Sequence, residues 1–416
     1  MDEKKIAIIG AGIMGISALR RLSENKKFLL TCFERNYDLG GLWLYTDQTD
    51  KDVYGRKINS AMYRNHQTNR PKQLMQLDGF PMDEECPTFP TQRDVLDYIR
   101  KVADQCNIRK YIKFNTEVQS VKPVSENTQN TKWLITYGDN RKKNDSHVEE
   151  FDAVIVCNGN CSIPNYPIID NEKEFEGLVI HSIQYRRPEL FAGLNVAVLG
   201  ASHSGLDICH DISKHAKTVY LCHRGSKLTT VLPGNVIEKT SGFKRFISSS
   251  IILDDNDVIQ IDAVIYCTGF RYDLSFLPEG LLEVGQNKVV CNLYKYVLPP
   301  QYSTIFFMGL MRLYILFFPY GDHEALFIKA MLEGSVCIPT YNEMIMIIDA
   351  DSKRPWLSNS HWEWDKELAS IAGNFESFPP VLKSIRDHIV AVKAKDFSMF
   401  RSVTFKITGP DSFEIV

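Results

Sequence analysis

No C-x-x-C pair occurs among the ten cysteines of these 416 residues, which excludes a zinc knuckle and a redox dithiol of the usual spacing. Cys32, Cys157, Cys222 and Cys267 fall inside strand-like runs, where a thiol acts as small apolar filler. That usage points to a reducing compartment rather than a disulfide framework. Neither sign of charge dominates: 48 Lys+Arg against 51 Asp+Glu leave a net charge of −3. The basic stripe that a nucleic-acid surface requires is therefore absent, and short basic runs such as Arg141-Lys142-Lys143 read as solvated loops. Long apolar runs are absent too. The longest, Ile305 to Phe318, is broken by Gly309 and Arg312 and stopped by Pro319. It falls short of the roughly 20 residues needed to span a bilayer and reads as a buried strand, turn and helix. The opening MDEKK leads straight into a strand-like run, and the final FKITGPDSFEIV carries no hydrophobic anchor. No signal peptide, no membrane anchor and a cytoplasmic location are the expectation.

What remains is ordinary globular material, 44% hydrophobic and 24% charged, long enough for two cores. The first 45 or so residues read strand, glycine turn, helix (Gly15 to Leu22) and strand (Phe28 to Glu34), a βαβ unit. A Pro-rich stretch follows, then a helix over Arg93 to Gln105 with apolar Val95, Leu96, Ile99 and Val102. Short alternating strands between Ile112 and Val156 predict an antiparallel excursion that returns to a parallel sheet at FDAVIVCNG. A second βαβ begins near Leu194 and ends at DAVIYCTGF. Beyond about 280 the pattern predicts helices at Glu324 to Leu332, Lys366 to Ala372 and Pro380 to Val392, with too few strands for an independent domain. The fold predicted is α/β, with two Rossmann-like dinucleotide-binding domains, the second inserted in the first. Residues 1–165 open the first domain, 166–280 form the second, and 281–416 complete the first. The short span from Arg224 to Asp262 leaves little room for a lid and predicts an open mouth. A homo-oligomer is the expected assembly.

Two fingerprints carry the chemistry, Gly10-Ala11-Gly12-Ile13-Met14-Gly15 and GASHSG at 200 to 205. Gly10 permits the tight turn, Gly12 lets the backbone approach a pyrophosphate, and Gly15 allows close helix–sheet packing. The helix N-terminus then offers free N–H groups and the positive end of its dipole to phosphate. Glu34 closes the next strand about 20 residues on, where a carboxylate bonds ribose hydroxyls, with Arg35 beside it. Gly40-Gly41-Leu42-Trp43 gives a second close approach and a flat aromatic face. In the second fingerprint Gly200, Ser202, Ser204 and Gly205 repeat the turn, with Asp207 in the helix that follows. No acid closes the following strand; His223 and Arg224 stand there. An acid would repel a 2′-phosphate whereas a guanidinium pairs with it, which points to NADPH over NADH. Two such turns imply two dinucleotides held at once, most simply a flavin and a nicotinamide.

Between the fingerprints stands FEGLVIHSIQYRR, whose Phe175, Gly177, His181 and Tyr185 match the F-x-G-x-x-x-H-x-x-x-Y motif of flavin-containing monooxygenases. With both fingerprints and GGLW, the chain resembles that family from residue 5 to about 270, and more weakly to the end. Baeyer–Villiger relatives carry Trp at the last motif position, where this chain has Tyr185. The short second domain looks like the insect branch, to which pyrrolizidine-alkaloid (senecionine) N-oxygenases belong. The resemblance implies FAD at the first turn and NADPH at the second. It further implies a C4a-hydroperoxyflavin that passes oxygen from O2 to an amine or sulfide. TNRPKQLM resembles the family's flavin loop, which makes Asn69 the catalytic candidate beside Thr68. Val118, Thr268 and Gly269 are carried over as further cofactor contacts, and His181 as a buttress of the domain junction. Two positions depart from the family pattern: Asn158 where Thr is commoner, and Asp322-His323-Glu324 where a Gln is usual. No metal is implied. A flavin disulfide reductase shares the doubled fingerprint but needs a dithiol. An uncoupled NADPH oxidase that releases hydrogen peroxide, and a non-enzymatic redox-sensing flavoprotein, remain as alternatives.

Overall fold

The computed structural model describes residues 2–126, 129–285, 290–310, 316–354 and 360–416. The chain begins with β1 (Lys4–Ile9), α1 (Ile13–Leu22), β2 (Phe28–Phe33), α2 (Gln92–Gln105) and β3 (Ile112–Lys113). An antiparallel trio follows, β4 (Thr116–Pro123), β5 (Trp133–Asp139) and β6 (His147–Phe151), then β7 (Ala153–Val156) and β8 (Ile163–Pro164). The second unit runs β9 (Leu178–His181), β10 (Asn195–Leu199), α3 (His203–Ile212), β11 (Thr218–Cys222) and β12 (Val236–Lys239). Another antiparallel trio, β13 (Phe243–Ile247), β14 (Ser250–Leu253) and β15 (Val258–Gln260), precedes β16 (Ala263–Tyr266) and β17 (Phe270–Arg271). The C-terminal portion holds β18 (Ile305–Phe307), α4 (Phe317–Glu333), α5 (Tyr341–Ser352), α6 (Ser360–Ala372), α7 (Pro380–Lys395) and the hairpin β19 (Phe405–Ile407) and β20 (Phe413–Ile415).

Two parallel five-stranded sheets result, ordered β18-β7-β1-β2-β3 and β12-β11-β10-β16-β9. Read from opposite ends they are the same sheet. β10 matches β1, β11 matches β2, β16 matches β7, and each sheet carries its antiparallel trio just before the strand that returns. The repeat therefore extends well past the two βαβ units visible in the sequence. Only the outermost strand differs in origin: β18 comes late in the chain, β9 early. β8 and β17, the exit and return crossings, lie side by side as an antiparallel pair.

Both faces of each sheet are covered, which is why the strands read as continuous apolar runs. Along β1, Ile6 and Ile8 enter the large core under the helices while Ala7 and Ile9 enter the core beneath the first trio. Along β10, Val196 and Val198 face one core and Ala197 the other. This is the two-residue alternation of a pleated strand.

The C-terminal helices differ most from the sequence reading. α4 starts at Phe317, not Glu324, because Pro319 sits in its first turn. There the missing N–H costs nothing and the fixed φ suits a helix, so the residue taken as a stop lies at a start. Arg312, taken to break that apolar run, lies outside the described residues. α6 is already helical at Ser360, ahead of Lys366, and α5 was not expected. Its YNEMIMII segment has no clean helical stripe and buries only Met344 and Asp351; the capping box of Thr340 and Glu343 fixes its start. The second trio was also unforeseen. Among the described residues, no helix is long and apolar enough to cross a membrane.

Three consecutive residues tie α4 to the rest. Asp322, with a side chain only 1% exposed, accepts from Arg20 Nη1 at 2.8 Å and from Arg21 Nε at 2.9 Å, both on α1. His323 pairs with Asp365 of α6 at 2.6 Å, and Glu324 accepts from the Gly309 N–H at 3.0 Å. Removing one member of a buried ion pair strands its partner's charge. Asp322→Ala is therefore expected to lower unfolding stability by about 3–5 kcal/mol in denaturant titration; a loss below about 1 kcal/mol would show that the pair does not hold α4 to α1.

Candidate functional site

The two glycine turns are copies of one geometry. Gly10 has φ +101 and Gly200 φ +112, in the left-handed region open to glycine. A Cβ on either would meet a carbonyl oxygen at 2.6 Å, that of Cys157 in the first case and Cys267 in the second. A Cβ on Gly15 would lie 1.9 Å from the Gly10 oxygen, and one on Gly205 1.8 Å from the Gly200 oxygen. Each turn delivers a helix whose N-terminus no side chain caps among the described residues. Gly12 has none to offer, and the Ser202 hydroxyl makes no cap bond although serine is a favoured cap. No acid occupies either first turn. Both N-termini are thus left for an anion.

A cavity of about 1170 Å³ opens in front of the first turn. Gly10, Gly12, Ile13, Met14, Glu34, Arg35, Gly41, Leu42, Trp43, Thr68, Asn69 and Val118 all line it. The cavity reaches solvent at Tyr37, Val53 and Tyr54, which are more than half exposed. Ala11 and Gly15 stand behind the wall: Ala11 is buried and gives its N–H to Glu34 Oε2 at 2.7 Å. Glu34 has a structural task that the sequence did not show, since its Oε1 also accepts from the Asn36 N–H at 2.8 Å. Burial pushes this carboxyl above its usual range while those two N–H bonds pull it down. Gly41, at φ +55, faces Gly12 so closely that a Cβ would sit 3.0 Å from the Gly12 Cα. That paired-glycine cradle, with the uncapped helix and the buried carboxylate, fits an extended dinucleotide such as FAD. Trp43 meets His66 and Phe318 edge-on at 5.8 and 6.1 Å. Burial and the nearby Arg401 charge push His66 down to about 3, so its imidazole stays neutral.

None of Gly200, Ser202, Ser204, Gly205, Asp207, Arg224, Thr268 or Gly269 lines this cavity; they form a separate cradle. Ser202 and Ser204 are exposed there. Arg224 stands at its edge with a side chain 74% exposed, its Nε donating to Asp254 at 2.9 Å. No acid was expected beside Arg224; the second trio folds one over it. Asp207 faces Arg401, 2.8 Å away. The motif residues make contacts within the second unit. Phe175 packs on Phe246, His181 Nε2 meets the Gly269 carbonyl at 3.0 Å, and Tyr185 donates to Asp211 at 2.6 Å. The Thr268 hydroxyl is given to the Asn165 carbonyl. Asn158 gives its amide to the Asp273 carbonyl at 2.6 Å.

Two arginines that no motif marks hold the parts together. Buried Arg186 donates to the carbonyls of Thr46, Gln48 and Ser60 in the cavity wall and to those of Ile183 and Tyr185 in the second unit. Arg401 bonds the Thr68 and Gln67 carbonyls and the Asn69 amide. The local sequence carries no signal for either, because the partners that tie the parts together, Thr46, Gln48 and Ser60 for Arg186 and Gln67 to Asn69 and Asp207 for Arg401, are remote in the chain.

The family model for flavin-binding monooxygenase-like proteins matches residues 3–230 and 226–410. Trimethylamine monooxygenase of Pelagibacter ubique is 33% identical over 430 aligned residues, covering 97% of this chain and 94% of that protein. The flavin-containing monooxygenase FMO GS-OX3 of Arabidopsis thaliana is 33% identical over 84% of this chain and 78% of its own length. Among solved structures, S-allyl-L-cysteine S-oxygenase of Allium sativum superposes with a TM-score of 0.85 at 26% identity, covering 96% of this chain and 95% of that one.

The cradle separates two kinds of glycine. At Gly12, with φ −72, a Cβ meets nothing in the protein nearer than the Gly41 Cα at 3.7 Å. Gly12→Ala is expected to fold within about 1 kcal/mol of the parent yet to purify largely without flavin absorbance. A fully yellow Gly12→Ala protein would contradict this placement.

Proposed function

The chain belongs to the flavin-binding monooxygenase-like family, and on that premise we propose that it uses FAD and NADPH to transfer one oxygen atom from O2 to a soft nucleophilic nitrogen or sulfur. One oxygen atom joins the substrate's lone pair and the other leaves as water; NADPH gives two electrons and one proton, and solvent gives the second proton. FAD, when bound, supplies the electron relay and the activation of O2. The reading rests on one observation above others: two glycine turns of the same geometry in one chain, joined across Asn69 on the cavity wall.

Residues 1–165 and 281–416 form the flavin part in this reading, and 166–280 the nicotinamide part. Gly10, Gly12, Ile13, Met14, Glu34, Arg35, Gly41 to Trp43, Thr68 and Val118 hold the flavin nucleotide. Gly200, Ser202, Ser204, Gly205, Thr268 and Gly269 hold the nicotinamide nucleotide. Arg224, whose Nε is given to Asp254, turns its other N–H groups to the 2′-phosphate. Asn69 offers its amide to the reacting oxygen. Met62, Leu74, Met75, Phe317 and Phe318 line the cavity with apolar surface, which excludes water and protects activated oxygen from wasteful release.

The substrate class follows from that dryness. The apolar lining of Met62, Leu74, Met75, Phe317 and Phe318 favours an uncharged amine or a thioether over an ammonium ion. The relatives named for trimethylamine and for S-allyl-L-cysteine mark both chemistries. N-oxygenation of a plant alkaloid, the reaction of the insect branch that the sequence resembles, is the finer form of the proposal.

A panel of tertiary amines, thioethers and plant alkaloids tests it, with NADPH consumption and oxygenated product measured together. Product close to one per NADPH supports the monooxygenase; NADPH consumed with only hydrogen peroxide formed replaces it with an oxidase, and no consumption with a redox-sensing protein. Asn69→Ala should retain its flavin spectrum and lose product, and unchanged product would remove Asn69 from the chemistry. Arg224→Ala should erode the preference for NADPH over NADH by on the order of tenfold or more. An unaltered preference would place the 2′-phosphate elsewhere.

A further inference from the structure

Arg401 lies in the short turn after α7, far in sequence from either fingerprint, yet it touches both halves of the site. Its Nη2 donates to the Gln67 carbonyl at 3.0 Å, to Asn69 Oδ1 at 3.1 Å and to Asp207 Oδ1 at 2.8 Å. Its Nε reaches the Thr68 carbonyl at 3.2 Å, and its guanidinium lies 4.6 Å over the Phe400 ring. Lys393 braces the same loop from α7, donating to the Asn69 carbonyl at 2.8 Å and lying 4.2 Å over the same ring. A guanidinium has N–H donors and no acceptor, so the amide atom that faces it must be the oxygen. The Asn69 NH2 group is thereby turned away from Arg401, on a residue that lines the cavity. Asp207 belongs to α3, the helix of the second glycine turn.

We infer that Arg401 is a positioning residue for oxygen transfer: it sets the Asn69 amide with its NH2 toward the cavity and locks that amide to the helix of the nicotinamide cradle. The inference rests on the oxygenase reading above and adds to it a residue from the C-terminal segment. Lys393 makes the bracket pH-dependent. Burial, Arg70 and Arg401 push its ammonium down to about 7, against the pull of Asp207; His203 at the start of α3 is the other titratable group beside it. Below that pH the charged form strengthens the bond to the Asn69 carbonyl; above it the charge is lost.

The test compares flavin-loaded wild type, R401M, R401K, K393M, N69A and the double variant R401M/N69A, with exposed K395M as a control. A thioether substrate is used so that the substrate does not titrate. R401M should keep its flavin spectrum and lose product per NADPH by about 10- to 100-fold, with kcat for product falling more than KM. R401K should recover part of this, since it restores the charge opposite Asp207 but not the fork. The double variant should be no worse than N69A, the non-additivity of two residues that act through one group. Wild-type product per NADPH should fall as pH rises through about 7, and K393M should be flat. Hydrogen exchange over residues 62–75 should quicken in R401M and not in K395M, a readout that stands even without turnover. Full product yield in R401M, additive losses in the double variant, or unchanged exchange would overturn the inference. Wild type that makes only peroxide would sink the oxygenase reading instead, leaving the exchange result to decide the bracket.

Discussion

A carbon added to Gly15 would sit 1.9 Å from the carbonyl oxygen of Gly10, and one added to Gly205 1.8 Å from that of Gly200. This contact of helix backbone with turn backbone is the constraint from which the rest follows. It presses α1 and α3 onto their sheets and aims both helix N-termini across the C-terminal ends of the parallel strands, where no protein side chain among the described residues caps them. In the first turn the contact is reinforced by Glu34, whose buried carboxylate takes the Ala11 N–H. Two backbone N–H donors offset part of the cost of burying that carboxyl.

The same device used twice creates a geometric problem, since two cradles in separate sheets must face each other at a fixed distance. Long, donor-only side chains that reach backbone carbonyls solve it. Arg186 carries the wall segment around Thr46 to Ser60 on the second unit, and Arg401 carries the Asn69 loop on α3. An aromatic series from Trp43 through His66, Tyr63 and Tyr185 to Phe191 runs between them, each ring within 6 Å of the next. In the F-x-G-x-x-x-H-x-x-x-Y segment, His181 Nε2 meets the Gly269 carbonyl and Tyr185 donates to Asp211, contacts within the second unit.

Much of this was legible in the chain. Continuous apolar strands ending in glycine turns are local signals, and Gly10, Glu34 and Trp43 line one cavity; Asn69, drawn from the family resemblance and not from spacing, lines it too. Val118 joins it from an antiparallel strand. The second trio was missed because its strands, Phe243–Ile247 to Val258–Gln260, are short and their register is set by pairing across the chain. α5 was missed because its apolar residues have no helical stripe, and the start of α4 because a proline ends or begins a helix according to its turn. The departure at Asp322-His323-Glu324 had no local reading. Four tertiary partners, Arg20 and Arg21 on α1, Asp365 on α6 and the Gly309 N–H, give it one. Asp254, Arg186 and Arg401 escaped for the same reason: a side chain whose partners lie far away in the chain leaves no periodicity to read.

The account depends on two nucleotide cradles that are filled together. Anaerobic titration of the flavin-loaded protein with NADPH measures this directly, following flavin absorbance and bound nucleotide at once. One flavin per chain, bleached by one equivalent of NADPH and kept on the protein throughout, is the expected result. Release of flavin as NADPH is added, or a spectrum that NADPH leaves unbleached, would contradict it.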